Sequence, residues 1–195
     1  WQRCLRRLGR KRPEWEKRGR LPTSVSIEGR PAVVDRRGRY GDWEGDTIVG
    51  AQRRGGAVTL VERKAGYLLL GRVPNLQAAT VRQVAARRYA TIPPALRKTL
   101  TLDNGKEFAE HEELEVEAAL RIYFAKPYCA WQRGTNENTN GLIRDFFPKG
   151  TDLAHIPEHR FTKVQQLLND RPRKRLGYRT PNEVLASRLQ VAIET

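Results

Sequence analysis

Between Trp43 and Val73 three runs rich in apolar and β-branched residues, Trp43 to Ala51, Ala57 to Arg63 and Tyr67 to Val73, are parted only by short stretches carrying Gly55-Gly56 and Gly66. Connections this short leave no room for a crossover helix, so the three runs are expected to pair as antiparallel hairpins. Downstream the period changes. Leu76, Thr80, Val84 and the Ala85/Arg88 pair recur near helical spacing and end before Ile92-Pro93-Pro94. Thr99 to Asp103 returns to a strand, Phe108 to Leu120 reads as an acidic helix, and Arg121 to Ala125 forms a fifth strand. Three further helices follow. One spans Thr135 to Phe147 and stops at Pro148, one is marked by Phe161, Val164, Leu167 and Leu168, and the last covers Asn182 to Leu189. Thr180 is placed to cap that last helix, with Pro181 as its first residue. Later strands separated by helices pair in parallel, which predicts an α/β fold with a mixed five-stranded sheet, three antiparallel strands then two parallel, flanked by helices.

Residues 1–40 lack apolar periodicity and are punctuated by Pro13, Pro22 and Pro31, so they read as a basic arm or linker with a short helix around Trp1 to Leu8. Residues 41–195 then form the folded domain. The formal net charge of +15 divides unevenly between these parts. Residues 1–40 hold 13 Lys and Arg against 4 Asp and Glu, residues 41–159 hold 16 against 15, and residues 160–195 hold 8 against 3. Basic clusters at both ends, among them Arg171, Arg173, Lys174 and Arg175, fit phosphate contacts to nucleic acid. No apolar stretch approaches the length of a membrane span. With no apolar leader and two cysteines in no paired motif, the expected compartment is reducing and cytoplasmic.

Within the neutral middle, acids at strand ends are the candidates for chemistry. Asp42, Glu44 and Asp46 alternate onto one face of the first strand, ahead of Ile48. An acid that enters a core strand is costly unless it is paired or binds a cation. Asp103 ends the fourth strand and precedes the turn pair Asn104-Gly105, at the carboxyl edge where α/β sheets bind ligands. Glu137 opens a helix and shares its face with Arg133, Asn140, Gly141 and Arg144. Two Asp and one Glu without His or Cys are hard oxygen ligands of the kind Mg²⁺ and Mn²⁺ take. Three carboxylates can hold two ions roughly 3.5–4 Å apart for in-line phosphoryl displacement. Lys106, beside the Asp103 turn, is a further phosphate candidate. Glu44 and Glu107 could assist a metal, with a solvated face the favoured reading. Burial preference places Tyr128, Trp131, Phe146 and Phe147, which bracket Glu137, in the core.

Five ordered blocks carry a resemblance: Gly41-Asp42-Trp43-Glu44-Gly45-Asp46, Leu102-Asp103-Asn104-Gly105-Lys106-Glu107-Phe108, Trp131-Gln132-Arg133-Gly134-Thr135-Asn136-Glu137-Asn138, Phe147-Pro148-Lys149-Gly150-Thr151-Asp152-Leu153 and Asn169-Asp170-Arg171-Pro172-Arg173-Lys174. The chain resembles bacterial DDE transposases of the insertion-sequence thirty family over roughly residues 25–185. The 33 residues between Asp103 and Glu137 agree with that family's DD(33)E spacing. The resemblance implies a ribonuclease-H-like, retroviral-integrase-type core with Asp46, Asp103 and Glu137 as catalytic, metal-binding residues for two Mg²⁺, replaceable by Mn²⁺. It implies cleavage at element ends and strand transfer by the freed 3′-hydroxyl. Contacts to double-stranded DNA would come from Arg144, Arg133, Lys106, Asn140, Lys149, Arg171, Arg173 and Lys174. A homodimer or larger assembly on DNA, in the bacterial cytoplasm at the nucleoid, is the implied working form. Family members carry an upstream helix-turn-helix region, which these residues do not contain, and a chain that starts at Trp1 with no Met is consistent with its lying upstream. Two other readings stay open: a nuclease or integrase of the same fold that hydrolyses without joining, and a non-catalytic DNA-binding module.

Overall fold

Side-chain alternation along the first three strands splits the core into two layers, and the helices follow from that split. The computed structural model of the chain describes residues 21, 23–126 and 129–193. Strands β1 (Asp42–Val49), β2 (Gly56–Glu62) and β3 (Leu68–Val73) pair antiparallel. Strands β4 (Thr99–Leu102) and β5 (Arg121–Phe124) add in parallel on the other side of β1, giving the order β3-β2-β1-β4-β5. The mixed five-stranded sheet is the one expected. Trp43, Leu60, Leu69, Leu100 and Leu102 point to one face with Val84, Ala85 and Tyr89 of α2 (Ala78–Tyr89) and Leu114 of α3 (His111–Ala118). Ile48, Val61, Leu68 and Leu70 point to the other, where α4 (Gly134–Arg144) and α5 (Glu158–Asn169) supply Ile143, Phe161, Val164 and Leu168, and the turn after α4 supplies Phe147. The helix α6 (Pro181–Ile193) closes the fold, opened by a reciprocal cap in which Glu183 N donates to Thr180 Oγ1 and Thr180 N donates to Glu183 Oε2.

Two glycines of the first block are required by space. A Cβ on Gly45 would lie 2.6 Å from Leu102 Cδ2, and Gly41, with φ of +96°, passes against the backbone of Leu96. That approach lets the Trp43 indole, fully buried, donate to the Leu96 carbonyl at 2.9 Å.

Both outer edges of the sheet are covered. On β3, Leu68 exchanges two hydrogen bonds with the Asn169 amide and Leu70 N donates to Gln165 of α5. On β5, Ile122 N donates to Glu115 and Phe124 N to Val25 O.

The packing runs through the boundary expected at residue 40. Leu21 and Val34 are buried, Ser26 bridges in parallel to Phe124, and Arg30 donates to Thr101 Oγ1 at 2.7 Å and pairs with Asp35 of the short helix α1 (Ala32–Asp35). Residues 23–40 are thus held by β4 and β5, a long-range contact that proline punctuation does not reveal. The expected helix at Trp1 to Leu8 lies outside the described residues. Helix α3 begins later than expected, after a turn at Lys106–Phe108, and leaves Val116 80% exposed. Helix α4 stops at Arg144 rather than running to Phe147. Among the described residues no helix is long and apolar enough to cross a membrane.

Glu62 is a carboxylate placed where burial dominates. It accepts from Gly41 N and Ala65 N, yet desolvation pushes its pKa up to about 7 from an ordinary 4.5. A folded-state pKa above the unfolded one stabilises fully below pH 4.5, and that contribution is lost as pH rises through about 7. The fall is on the order of 3 kcal/mol, since one unit is ~1.4 kcal/mol. Urea unfolding of the native chain and of Glu62→Gln at pH 5 and pH 8 should differ in slope against pH. Equal slopes would remove Glu62 as the cause.

Candidate active site

Asp46 and Asp103 are brought together by strand register. Glu44 pairs with Thr101 across the parallel β1–β4 ladder, and two residues further along both strands Asp46 stands level with Asp103. Each aspartate is fixed through one oxygen. Thr47 N donates to Asp46 Oδ1 at 2.8 Å, and Gly105 N donates to Asp103 Oδ1 at 3.1 Å within the Asn104-Gly105 turn. Asn104 ties that turn to the end of β5 through the Ala125 carbonyl.

The remaining oxygens face one guanidinium. Arg133 Nη1 lies 3.4 Å from Asp46 Oδ2, and Arg133 Nη2 lies 3.2 Å from Asp103 Oδ2. Nη1 also donates to Gly45 O at 3.1 Å, and Asn140 Nδ2 donates to Asp46 Oδ2 at 3.0 Å. Burial raises the Asp46 carboxyl above the usual range, Arg133 opposes the rise, and the Asp103 charge adds to it. Two sequence-predicted DNA contacts, Arg133 and Asn140, therefore turn inward onto the acids, because two adjacent carboxylates in a half-buried site need donors more than a solvent-facing strand does.

Helix α4, which carries Glu137, is anchored by the residue before it. Asn136 is fully buried, its amide donating to Glu44 O and Thr59 O and accepting from Thr59 Oγ1. Its backbone N–H donates to Glu44 Oε2, and Arg63 pairs with Glu44 Oε1 at 2.8 Å. Glu44 is thus a buried paired acid and not part of a solvated face; alternation names the face it lies on, but α4 decides that the face is covered. Glu107 is likewise engaged, accepting from Thr47 Oγ1 at 2.8 Å. The sequence reading missed Asn136, Thr59 and Arg63. The signal for Asn136 was its position next to Glu137 at the start of a helix that must cross β1.

Glu137 itself is exposed in the first turn of α4, and no group of three His, Cys, Asp or Glu able to hold a metal forms among the described residues. Asp46 and Asp103 suit a hard divalent cation by donor type and by facing a single cationic group. The structure gathers two of the three predicted ligands and places a guanidinium between them.

The other predicted contacts stand at the end of α4, in the turn after Asp103 and in the segments after α4 and α5. Arg144 donates to the carbonyls of Val49 and Phe147 and so joins the end of α4 to β1. Lys106 and Lys149 are exposed. Arg171, Arg173, Lys174 and Arg175 line a groove with Asn138 and Leu142 of α4, with Arg173 half-buried and donating to Leu168 O. Phe147 is core, as expected, stacked on Phe161 at 4.8 Å, whereas Phe146 is 40% exposed. Tyr128 lies outside the described residues.

No family model matches the chain. Over 166 residues, 85% of the chain, it is 42% identical to the transposase for insertion sequence element IS4351 of Bacteroides fragilis, covering 51% of that protein. It is 42% identical over 188 residues to the transposase for insertion sequence element IS1086 of Cupriavidus metallidurans, covering 94% of the chain and 55% of that protein. Transposase InsI for insertion sequence element IS30A of Escherichia coli is 40% identical over 181 residues, 92% of the chain and 47% of that protein. The chain thus spans about half the length of the curated relatives it matches. In fold it is similar to the catalytic core domain of BIV integrase, with a TM-score of 0.62 at 18% identity, over 80% of this chain and 99% of that one.

Proposed function

Because this chain belongs to the IS30 family of insertion-sequence transposases and has the ribonuclease-H-like fold of an integrase catalytic core, we propose that it is the catalytic domain of a DNA transposase. It cleaves phosphodiester bonds at element ends and transfers the 3′-hydroxyl into target DNA. The observation that carries the reading is the juxtaposition of Asp46, within β1, and Asp103, just past the end of the adjacent parallel strand β4, both presenting one oxygen to a cation.

Asp46 and Asp103 would hold a divalent ion, Mg²⁺ or Mn²⁺, and Glu137 on α4 would complete the set as the third carboxylate and support a second ion. Such ions, when bound, activate the attacking oxygen and stabilise the leaving one. The chain's own residues do the remainder. Thr47 N and Gly105 N fix the two carboxylates in rotation, Asn140 orients Asp46, and the Glu44–Asn136 contact sets the height of α4 over β1. The basic groove of Arg171, Arg173, Lys174 and Arg175 lies against the same helix that carries Glu137, so a DNA strand bound there runs past the acids. Lys106 and Lys149 extend the positive surface. In the cell the enzyme works in the bacterial cytoplasm at the nucleoid, as a homodimer or larger assembly that holds two ends at once, with an upstream helix-turn-helix domain supplying end recognition.

A joining assay tests the reading. The full-length protein, given pre-cleaved element ends, a target plasmid and Mg²⁺, is expected to yield covalently joined product. Hydrolysis without joining would reassign the chain to a nuclease, and neither product would leave only a DNA-binding module.

A further inference from the structure

We infer that Arg133 is the resident cation of the metal-free site, and that a divalent ion loads by displacing its guanidinium from between Asp46 and Asp103. The inference rests on the reading of these two aspartates as metal ligands. Each aspartate commits Oδ1 to a backbone N–H, of Thr47 or Gly105, and so has Oδ2 left for a cation. Both Oδ2 atoms face Arg133, one through each Nη. An ion that takes these oxygens and the guanidinium cannot occupy the place together.

Arg133 is not a solvated charge that happens to lie near. Its side chain is 12% exposed, against 26% for Asp46 and 38% for Asp103. A planar fork with several donors spans two separate carboxylates through a different nitrogen for each and relieves their repulsion. Yet the fit is loose. Contacts of 3.2 and 3.4 Å exceed the ~2.7–2.9 Å of strong charge-assisted pairs. Arg133 Nε and Asn140 Oδ1 are both buried with no hydrogen-bond partner among the described residues. A buried polar atom left unpaired carries a cost, so Arg133 holds the place without satisfying it. Arg133 stands just before α4, at i−4 from Glu137. Withdrawal of its side chain therefore clears the space beside Asp46 and Asp103.

The test follows Arg133 directly. The protein is treated with phenylglyoxal with and without saturating Mn²⁺, and modification of Arg133 is read by peptide mass spectrometry. Its rate is expected to rise several-fold with Mn²⁺. In parallel, calorimetry measures Mn²⁺ binding to the native chain, Arg133→Gln and Arg133→Lys, with circular dichroism melting to show that each variant is folded. Arg133→Gln should bind Mn²⁺ about tenfold tighter, the scale of one lost charge-assisted hydrogen bond. Arg133→Lys, which keeps the charge but not the fork, should also bind tighter, and an affinity equal to native would reduce Arg133 to a bystander charge and overturn the inference. Mn²⁺ binding that is lost in Asp46→Asn and Asp103→Asn, with Arg133 reactivity unchanged, would overturn the inference and leave the metal reading standing. No Mn²⁺ binding by the native chain would overturn both.

Discussion

Asp46→Asn and Asp103→Asn, each made in the full-length transposase, are expected to lower end cleavage and joining by well over a hundred-fold. Loss of an outer-shell partner of a metal ligand already costs roughly 10–100-fold, and on the proposed reading these substitutions remove a ligand itself. Asn keeps the shape and the hydrogen bond from Thr47 or Gly105, so the fold should hold. Retention of DNA in a gel-shift assay should also survive, because the lining of the basic groove contains neither aspartate. Glu137→Gln should be as inactive, and here the exposure of Glu137 sharpens the test. An exposed first-turn residue contributes little to stability, so melting should be unchanged while activity is lost. Near-native activity in Glu137→Gln would remove it from the catalytic set.

Glu44→Ala is expected to produce the largest loss of stability. The Glu44 carboxylate accepts from both Arg63 and the Asn136 backbone, and its own carbonyl accepts from the Asn136 amide. Side-chain exposures of 1% for Glu44 and 9% for Arg63 mean that truncation strands a buried guanidinium. Removal of one partner from such a pair costs roughly 3–5 kcal/mol. For a domain of this size that is a fall in Tm of about 6–20 °C. Thermal unfolding followed by circular dichroism reads it, and a shift under about 2 °C would show that the pair contributes nothing net. Activity should fall beyond the loss of folded protein, because Asn136 is the residue that sets Glu137 on α4.

The order of elements was readable because it depends on local period. Leu68, Leu69 and Leu70 divide between the two layers by alternation alone. The change to helical spacing after Val73 locates α2, which starts two residues after Leu76 and ends at Tyr89, ahead of Ile92. Asp46 and Asp103 were readable for the same reason: each stands at a strand position or turn where an acid is out of place unless used. Arg133 and Asn140 were named as DNA contacts, and their meeting with Asp46 and Asp103 was not foreseen. Their turn toward the acids depends on β1 lying beside β4, a register that no local pattern encodes. Glu44 was assigned to solvent since alternation tells which residues share a face and not what covers it. Residues 23–40 were read as a linker because their contacts, Arg30 to Thr101 and Ser26 to Phe124, reach far along the chain.

The side-chain amides of Asn169 and Gln165 on β3, and Glu115 with Val25 on β5, cap backbone groups of Leu68, Leu70, Ile122 and Phe124 on the two outer strands. A neighbouring copy that meets these positions cannot extend the ladder there, the route by which crowded edge strands aggregate, and touches them through side chains alone.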